Sequence, residues 1–338
     1  VSRYSRQELF AGLGPEGQAR VRRARVLVVG VGALGSALSE MMARAGVGTL
    51  TVVDRDFVEE SNLQRQSLFE ERDAALGLPK AVAAEARLRR LNSEVSVRGV
   101  VADVTAENVA ALVEAADLVL DGTDNFETRF LLNDACLERR VSWIHGACVG
   151  AHGLALVVRP GETPCLRCVL RERPAAGGGD TCDTAGIIAP IVHVVAGIQA
   201  GEALKLLCGR EADLLGGLVT VDLWPGLFEV MDLRGVRPSC PACREGRFES
   251  LRESSREEAV LCGRDAVQLR PRGGGEALDL AVLAARLRAV GRVVENEWLL
   301  RFSLEDAELV VFKDGRVLVK GTGDVARARS LCARYVGR

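Results

Sequence analysis

The chain has 338 residues, 48% of them hydrophobic and 27% charged, with a formal net charge of -2. That balance describes a globular protein long enough for two domains, without the basic excess that draws proteins to nucleic acid or anionic membranes. No cationic stretch followed by an apolar core opens it, so no signal peptide is expected and the cytoplasm is the expected compartment.

Residues 1–24 form a polar, glycine-punctuated lead-in expected to hold short helices. Residues 26–29 read as a fully apolar strand, 33–45 as a helix, and 48–53 as a second strand ending at Asp54. A charged loop follows, then a helix over 80–91, a strand over 95–101 and a helix over 107–115. The strand at 117–120 closes on Asp121-Gly-Thr-Asp124, and further strands are predicted at 142–145, 153–158 and 218–222. Apolar strands alternating with helices at this spacing specify an α/β fold: a Rossmann-like, doubly wound, mostly parallel sheet covered on both faces. The apolar segment 187–208 is interrupted by Pro190, His193, Glu202 and Lys205. It reads as a buried helix and not a membrane span.

Residues 171–181 are loop-like by composition. The first domain is expected over 1–245, a charged linker over 246–258, and a small α+β domain over 259–338. In the last, a strand at 259–269 precedes a helix at 278–290 and strands at 298–303 and 309–320. Lys313-Asp-Gly-Arg316 is the hairpin turn, and a helix at 325–335 ends the pattern.

Two constellations carry chemistry. Gly30, Gly32 and Gly35 follow a strand and open a helix, the context in which a glycine turn lets a phosphate approach a helix N-terminus. Asp54, ending the next strand, is placed to hydrogen-bond a ribose hydroxyl. The turn alone does not separate NAD from ATP. Asn62, Arg65 and Lys80 add polar and cationic groups just beyond, which suit a triphosphate better than a pyrophosphate. A solvated charged loop with a surface lysine is the plainer account of the same residues.

The second constellation is cysteine. Of ten cysteines, Cys165 with Cys168 and Cys240 with Cys243 stand in Cys-x-x-Cys pairs. Cys136, Cys148, Cys182, Cys208, Cys262 and Cys332 are scattered, mostly in apolar runs. Two such pairs make a closed, structural Zn²⁺ site in a reducing compartment, with redox dithiols as the alternative. His145, His152 and His193 read as core or loop histidines.

The chain resembles the ThiF/MoeB-type activating enzymes, relatives of the ubiquitin-activating enzymes. The matching pieces, in order, are Arg3-Tyr-Ser-Arg-Gln7, the glycine turn, Ser61-Asn-Leu-Gln-Arg-Gln66, Gly77-Leu-Pro-Lys80 and Asp121-Gly-Thr-Asp-Asn125. They continue through the two cysteine pairs, Thr181-Cys182 and Ala185-Gly-Ile-Ile-Ala-Pro190, and span about residues 1–245. The resemblance implies ATP-dependent adenylation of the C-terminal glycine of a small ubiquitin-like sulfur-carrier protein ending in Gly-Gly, with release of pyrophosphate. It implies that Asp54 holds the ribose, that Asn62, Arg65, Gln66 and Lys80 contact the nucleotide, and that Asp124 organises Mg²⁺. It further implies a homodimer in which Arg6 reaches the partner's nucleotide, and a thiol at Cys182 for capture of the carrier or sulfur transfer from a donor protein. The resemblance leaves the carrier's pathway open among thiamin, molybdopterin, tRNA thiolation and protein conjugation. Beyond about residue 250 nothing resembles a rhodanese domain, and no terminal diglycine marks a fused carrier. Two other classes share the glycine turn: a nicotinamide dehydrogenase, which leaves Asn62, Arg65 and Lys80 unexplained, and a non-catalytic nucleotide-binding scaffold.

Overall fold

A computed structural model describes residues 2–174, 184–236, 239–252, 258–261, 265–270 and 278–337. They fall into two compact units, the first within Val1–Pro174 and Ala185–Ser254, the second within Ala175–Thr184 and Ser255–Arg338.

The first unit opens with α1 (Ser5–Leu9) and α2 (Gly14–Val21). Then come β1 (Arg25–Val29), α3 (Ala33–Ala45), β2 (Thr49–Asp54), α4 (Glu71–Ala75), α5 (Lys80–Leu91), β3 (Ser96–Val101), α6 (Val109–Glu114), β4 (Leu118–Asp121) and α7 (Phe126–Arg139). The chain continues through β5 (Ser142–Val149), β6 (His152–Val158), α8 (Leu166–Val169), α9 (Ala189–Cys208), β7 (Gly217–Asp222) and β8 (Leu227–Asp232). The sheet order is β3-β2-β1-β4-β5-β6-β7-β8. Its first five strands pair in parallel, and the rest antiparallel. The change of direction has a local cause. Helical crossovers separate the parallel strands, whereas Gly150, at φ +60°, lets β5 turn straight back into β6.

Burial on both faces explains why β1 is apolar from residue 26 to 29. Val26 and Val28 bury on one face with Leu38 and Met42 of α3, Leu88 of α5 and Val195 of α9. Leu27 and Val29 bury on the other with Val109 and Val113 of α6 and Phe130 of α7. The apolar segment expected at 187–208 is a helix, α9, with half of its length buried. α9 is the one described helix long and apolar enough to cross a bilayer, and Ile191, Val192, Val195 and Ala196 lie wholly within the core. Pro190 sits in its first turn and Gly209 ends it at φ +79°.

The second unit contains β9 (Glu258–Leu261), β10 (Ala266–Leu269), α10 (Leu280–Leu287), β11 (Arg292–Glu295), β12 (Leu299–Ser303), β13 (Glu308–Phe312), β14 (Val317–Lys320) and α11 (Val325–Tyr335). They form an antiparallel sheet of order β11-β12-β13-β14-β10-β9. Leu300, Phe302, Leu309 and Val311 pack with Leu283 of α10 and Cys332 of α11. Asp279 and Asp324 cap the two helices through their side chains. The single strand expected at 259–269 is instead two paired strands, β9 and β10. The apolar run is broken at Asp265, whose φ of +41° is incompatible with a continuous strand. β11 was not anticipated, because its four residues are too short to show a period.

Candidate active site and metal centre

β1 and β4 are neighbours, but the sheet grows from them in opposite directions, through β2 on one side and β5 on the other. A crevice therefore opens beyond their carboxyl ends, where doubly wound sheets take ligands. Three glycines let the backbones converge there. Gly30 leaves β1 at φ +81°. A Cβ on Gly35 would stand 1.7 Å from the Gly30 carbonyl oxygen, and one on Gly122 would stand 2.4 Å from the same atom. No side chain fits at either position. Gly32 is the N-cap of α3 and makes no side-chain cap, so the first N–H groups of that helix face the crevice.

Two of the expected nucleotide residues, Asp54 and Gln66, meet this turn directly. Asp54 is buried at the end of β2, where its carboxylate accepts the Val31 N–H at 2.6 Å and the Asp56 N–H at 2.7 Å. Burial pushes its carboxyl above the ordinary value, Asp56 adds to the rise, and Lys80 opposes it. Lys80 is itself buried as the first residue of α5, with Nζ 3.7 Å from Asp56. Asn62 is buried and its Oδ1 accepts the Glu59 N–H at 3.1 Å. Arg65 curls back to the Ser61 carbonyl at 2.9 Å. Gln66 lies beside Gly32, and its buried Oε1 has no hydrogen-bond partner among the described residues. An orphaned acceptor in a polar crevice is what a ligand donor would satisfy.

Sequence reasoning overlooked the acidic groups that share this region. Burial works against the Arg55 guanidinium, but Asp103, Asp56, Asp124 and Asp54 together hold it well above its ordinary value. Asp103 and Asp56 each follow a strand end, a position that could have signalled them.

The two aspartates after β4 have separate environments. Asp121 is fully buried. Its Oδ1 accepts the Thr123 N–H at 2.8 Å and the Thr123 hydroxyl at 2.7 Å, and its Oδ2 lies 2.6 Å from Nδ1 of His145. Burial alone would raise its carboxyl, but His145, Arg129 and Thr123 hold it below the ordinary value. Burial pulls the His145 imidazole down despite Asp121, and Nδ1, facing a carboxylate oxygen that only accepts, is the donor of this pair. Asp124 is exposed.

Arg6 is exposed on α1. That helix is fixed at the far end of α3: the Tyr4 ring lies against Gly46, and Gln7 donates to the Ala45 carbonyl at 3.0 Å. Cys182 lies outside the described residues, as does Cys262.

The four paired cysteines converge. Cys165 and Cys168 are 3.9 Å apart at sulfur, Cys165 and Cys240 3.7 Å, and Cys168 and Cys243 3.6 Å. A tetrahedron with metal–sulfur bonds of about 2.3 Å has edges of about 3.8 Å. All four Sγ atoms lie within 4.8 Å of one another, so the set fits a closed Zn²⁺ centre.

A buried clamp that sequence reasoning missed ties these cysteines to α7. Arg167, inside the first pair, makes two 3.0 Å bonds to Asp134. The Ser250 N–H donates to the same carboxylate at 3.0 Å, and the Leu166 N–H donates to Asn133 at 2.9 Å. The guanidinium also stands over the Phe130 ring at 4.9 Å. The only sequence signal was a polar Asn-Asp step between the apolar runs 130–132 and 135–137 of α7.

A glycine turn at a topological switch point, with buried cationic and acidic groups beside it and a four-thiol centre in the same unit, is the arrangement of a doubly wound α/β fold suited to a nucleotide. The ThiF family model matches residues 4–242, and the chain belongs to the ThiF family. It is 48% identical over 342 residues to the sulfur carrier protein ThiS adenylyltransferase of Bacillus subtilis, covering 100% of both chains. It is 41% identical over 265 residues to the SAMP-activating enzyme E1 of Haloferax volcanii, covering 78% of this chain and 97% of that one. With the molybdopterin-synthase adenylyltransferase of Escherichia coli it shares 39% over 243 residues, 71% of this chain and 95% of that one. Among solved structures, E. coli MccB with ATP overlays 72% of this chain and 74% of its own at a TM-score of 0.61, a likeness of fold at 24% identity. The chain is an enzyme of the adenylyltransferase type.

Proposed function

We propose that this enzyme uses ATP to adenylate the C-terminal glycine of a small ubiquitin-like sulfur-carrier protein, releasing pyrophosphate. The observation that carries the reading is the meeting of Asp54 and Gln66 with the glycine turn at the switch point, with Lys80 beside Asp54 and Asp56. In the reaction a carboxylate oxygen of the carrier bonds to the α-phosphorus, and the bond from that phosphorus to the bridging oxygen breaks. Asp54 anchors the ribose with the lone pairs not used by Val31 and Asp56. The α3 N-terminus and Lys80 face negative charge that grows on the departing phosphates, so they stabilise the transition state more than the ground state. Asp124 supplies a hard oxygen donor suited to Mg²⁺, which when bound would neutralise phosphate charge.

Similarity along the whole chain to a ThiS adenylyltransferase, second unit included, favours a ThiS-like carrier and thiamin-related sulfur chemistry. The molybdopterin-synthase relative corresponds to only 71% of this chain. The reading predicts ATP–pyrophosphate exchange that needs a diglycine-tailed carrier. Its absence with every such carrier tried would overturn the reading. Exchange needs only ATP, Mg²⁺ and the carrier carboxylate, so Cys182→Ala should retain it while losing capture of the carrier or sulfur transfer, the steps that need a thiolate. If the variant loses exchange as well, Cys182 serves the shape of the site and not the transfer.

We further propose a homodimer with shared sites. α3 has 13 residues, so Arg6, held near its C-terminal end, stands about 20 Å from the glycine turn of its own chain. An arginine side chain does not span that distance, so contact with a nucleotide requires a second copy. Inactive Arg6→Ala and Asp124→Ala chains, mixed as dimers, should regain activity, because one of the two sites then carries both groups. Mixed dimers that stay inactive would place Arg6 outside the site.

A further inference from the structure

Asp121 is a buried charge at a strand end where an apolar residue would cost far less to desolvate. Its side chain joins the loop that carries Asp124 to β5 and α7. One carboxylate oxygen takes both donors of Thr123, at 2.8 and 2.7 Å. The other takes the His145 Nδ1–H at 2.6 Å, with Arg129 Nε at 3.7 Å. Arg129 also donates Nη2–H to the Thr123 carbonyl at 2.7 Å, and Gln199 donates to the Asp121 carbonyl at 3.0 Å. On either side of Thr123 the loop is equally fixed. Gly122 is jammed against Gly30 and Gly35, and Asn125 caps α7 by accepting the Thr128 N–H at 2.8 Å. Asp124 is thus the exposed residue of a loop whose neighbours are all held.

We propose that Asp121, Thr123 and His145 are positioning residues: a buried hydrogen-bond chain from β5 fixes the loop after β4 and so sets where the Asp124 carboxylate stands relative to the nucleotide. The idea rests on the reading of Asp124 as the metal-organising group. Thr123 is the link that can be cut most cleanly. Thr123→Val keeps the shape and removes the hydroxyl donor, while Thr123→Ser restores it. For His145, Asn presents an amide N–H near the Nδ1 position and Leu presents none.

The test is calorimetric titration of ATP into the full-length protein, without Mg²⁺ and across a series of Mg²⁺ concentrations, alongside pyrophosphate exchange. Misplacing a reacting group by about 1 Å can cost about 10²-fold. Thr123→Val should therefore lower kcat of exchange about 10- to 100-fold and raise the Mg²⁺ needed for half-maximal coupling about tenfold, leaving metal-free ATP affinity within about twofold. Thr123→Ser and His145→Asn should stay near wild type, and His145→Leu should follow Thr123→Val. If His145→Leu does not fold, the Thr123 pair decides alone. Wild-type Mg²⁺ dependence in Thr123→Val would overturn the proposal. So would a fall in metal-free ATP affinity as large as the fall in Mg²⁺ coupling, because that marks a merely structural role. Asp124→Ala separates the two claims: if it keeps Mg²⁺ coupling, the reading of Asp124 has failed. If it loses coupling while Thr123→Val does not, only the positioning role has failed.

Discussion

Asp124→Ala is expected to lower ATP–pyrophosphate exchange by about 10²- to 10³-fold, the scale seen when one preorganised electrostatic group is removed from a transition state. Thermal stability should move little, since Asp124 is exposed and three other carboxylates remain around the Arg55 guanidinium. The structure separates this aspartate from its neighbour three residues earlier. Asp121 has its carboxylate enclosed by Thr123, His145 and Arg129, and removing it would strip partners from a buried imidazole and a buried guanidinium. Loss of activity in Asp121→Ala is therefore expected together with loss of fold. In Asp124→Ala the two readouts should part: steady-state exchange collapses while the melting temperature and the far-ultraviolet circular dichroism stay put. Normal exchange in Asp124→Ala would mean that another group organises the phosphates.

The sequence made the sheet legible because parallel strands buried on both faces are short apolar runs, as in Val26 to Val29, and because the glycine turn sits at a fixed place in such a fold. It was less informative where burial and local composition disagree. α7 carries Thr128, Arg129, Asn133 and Asp134 on buried positions, so it lacks a clean apolar stripe. Those polar residues are the ones that hold the Asp121 network and the cysteine clamp. β8 is exposed along its whole length and shows no alternation to read. The cysteine pairs were visible from spacing alone, since a knuckle is a local feature. Arg167 and Asp134 find each other across 33 positions, and no short window can show that. Residue types were therefore legible at the candidate site, but the partners that orient them were not.

Purified under reducing conditions without chelator, the protein is expected to carry one Zn²⁺ per chain on Cys165, Cys168, Cys240 and Cys243. Stripping it should loosen one region first. Structural zinc contributes about 10–16 kcal/mol to the folding of small peptides that have no core of their own. Here the cross-link joins α8 to the segment around Cys240, while the core beneath α3, α5 and α9 contains none of the four cysteines. Hydrogen exchange should accordingly lose protection across residues 239–252 and α8 at chelator concentrations that leave β1, β2 and the glycine turn protected. Nucleotide binding should survive that first stage. The Asp134 clamp provides a second handle on the same region. Asp134→Ala leaves Arg167 as a buried charge without its bidentate partner, at a cost of about 3–5 kcal/mol, and should shift the protein towards the exchange pattern of the stripped protein even with zinc bound. Elemental analysis showing no metal would remove the premise. Global unfolding on chelation, with the β1 amides exchanging as early as those of α8, would show that the clamp and the sheet form one cooperative unit. The coupling would then run along α7, which carries Asn133 and Asp134 at the metal end and follows directly from Asp124 and Asn125 at the nucleotide end.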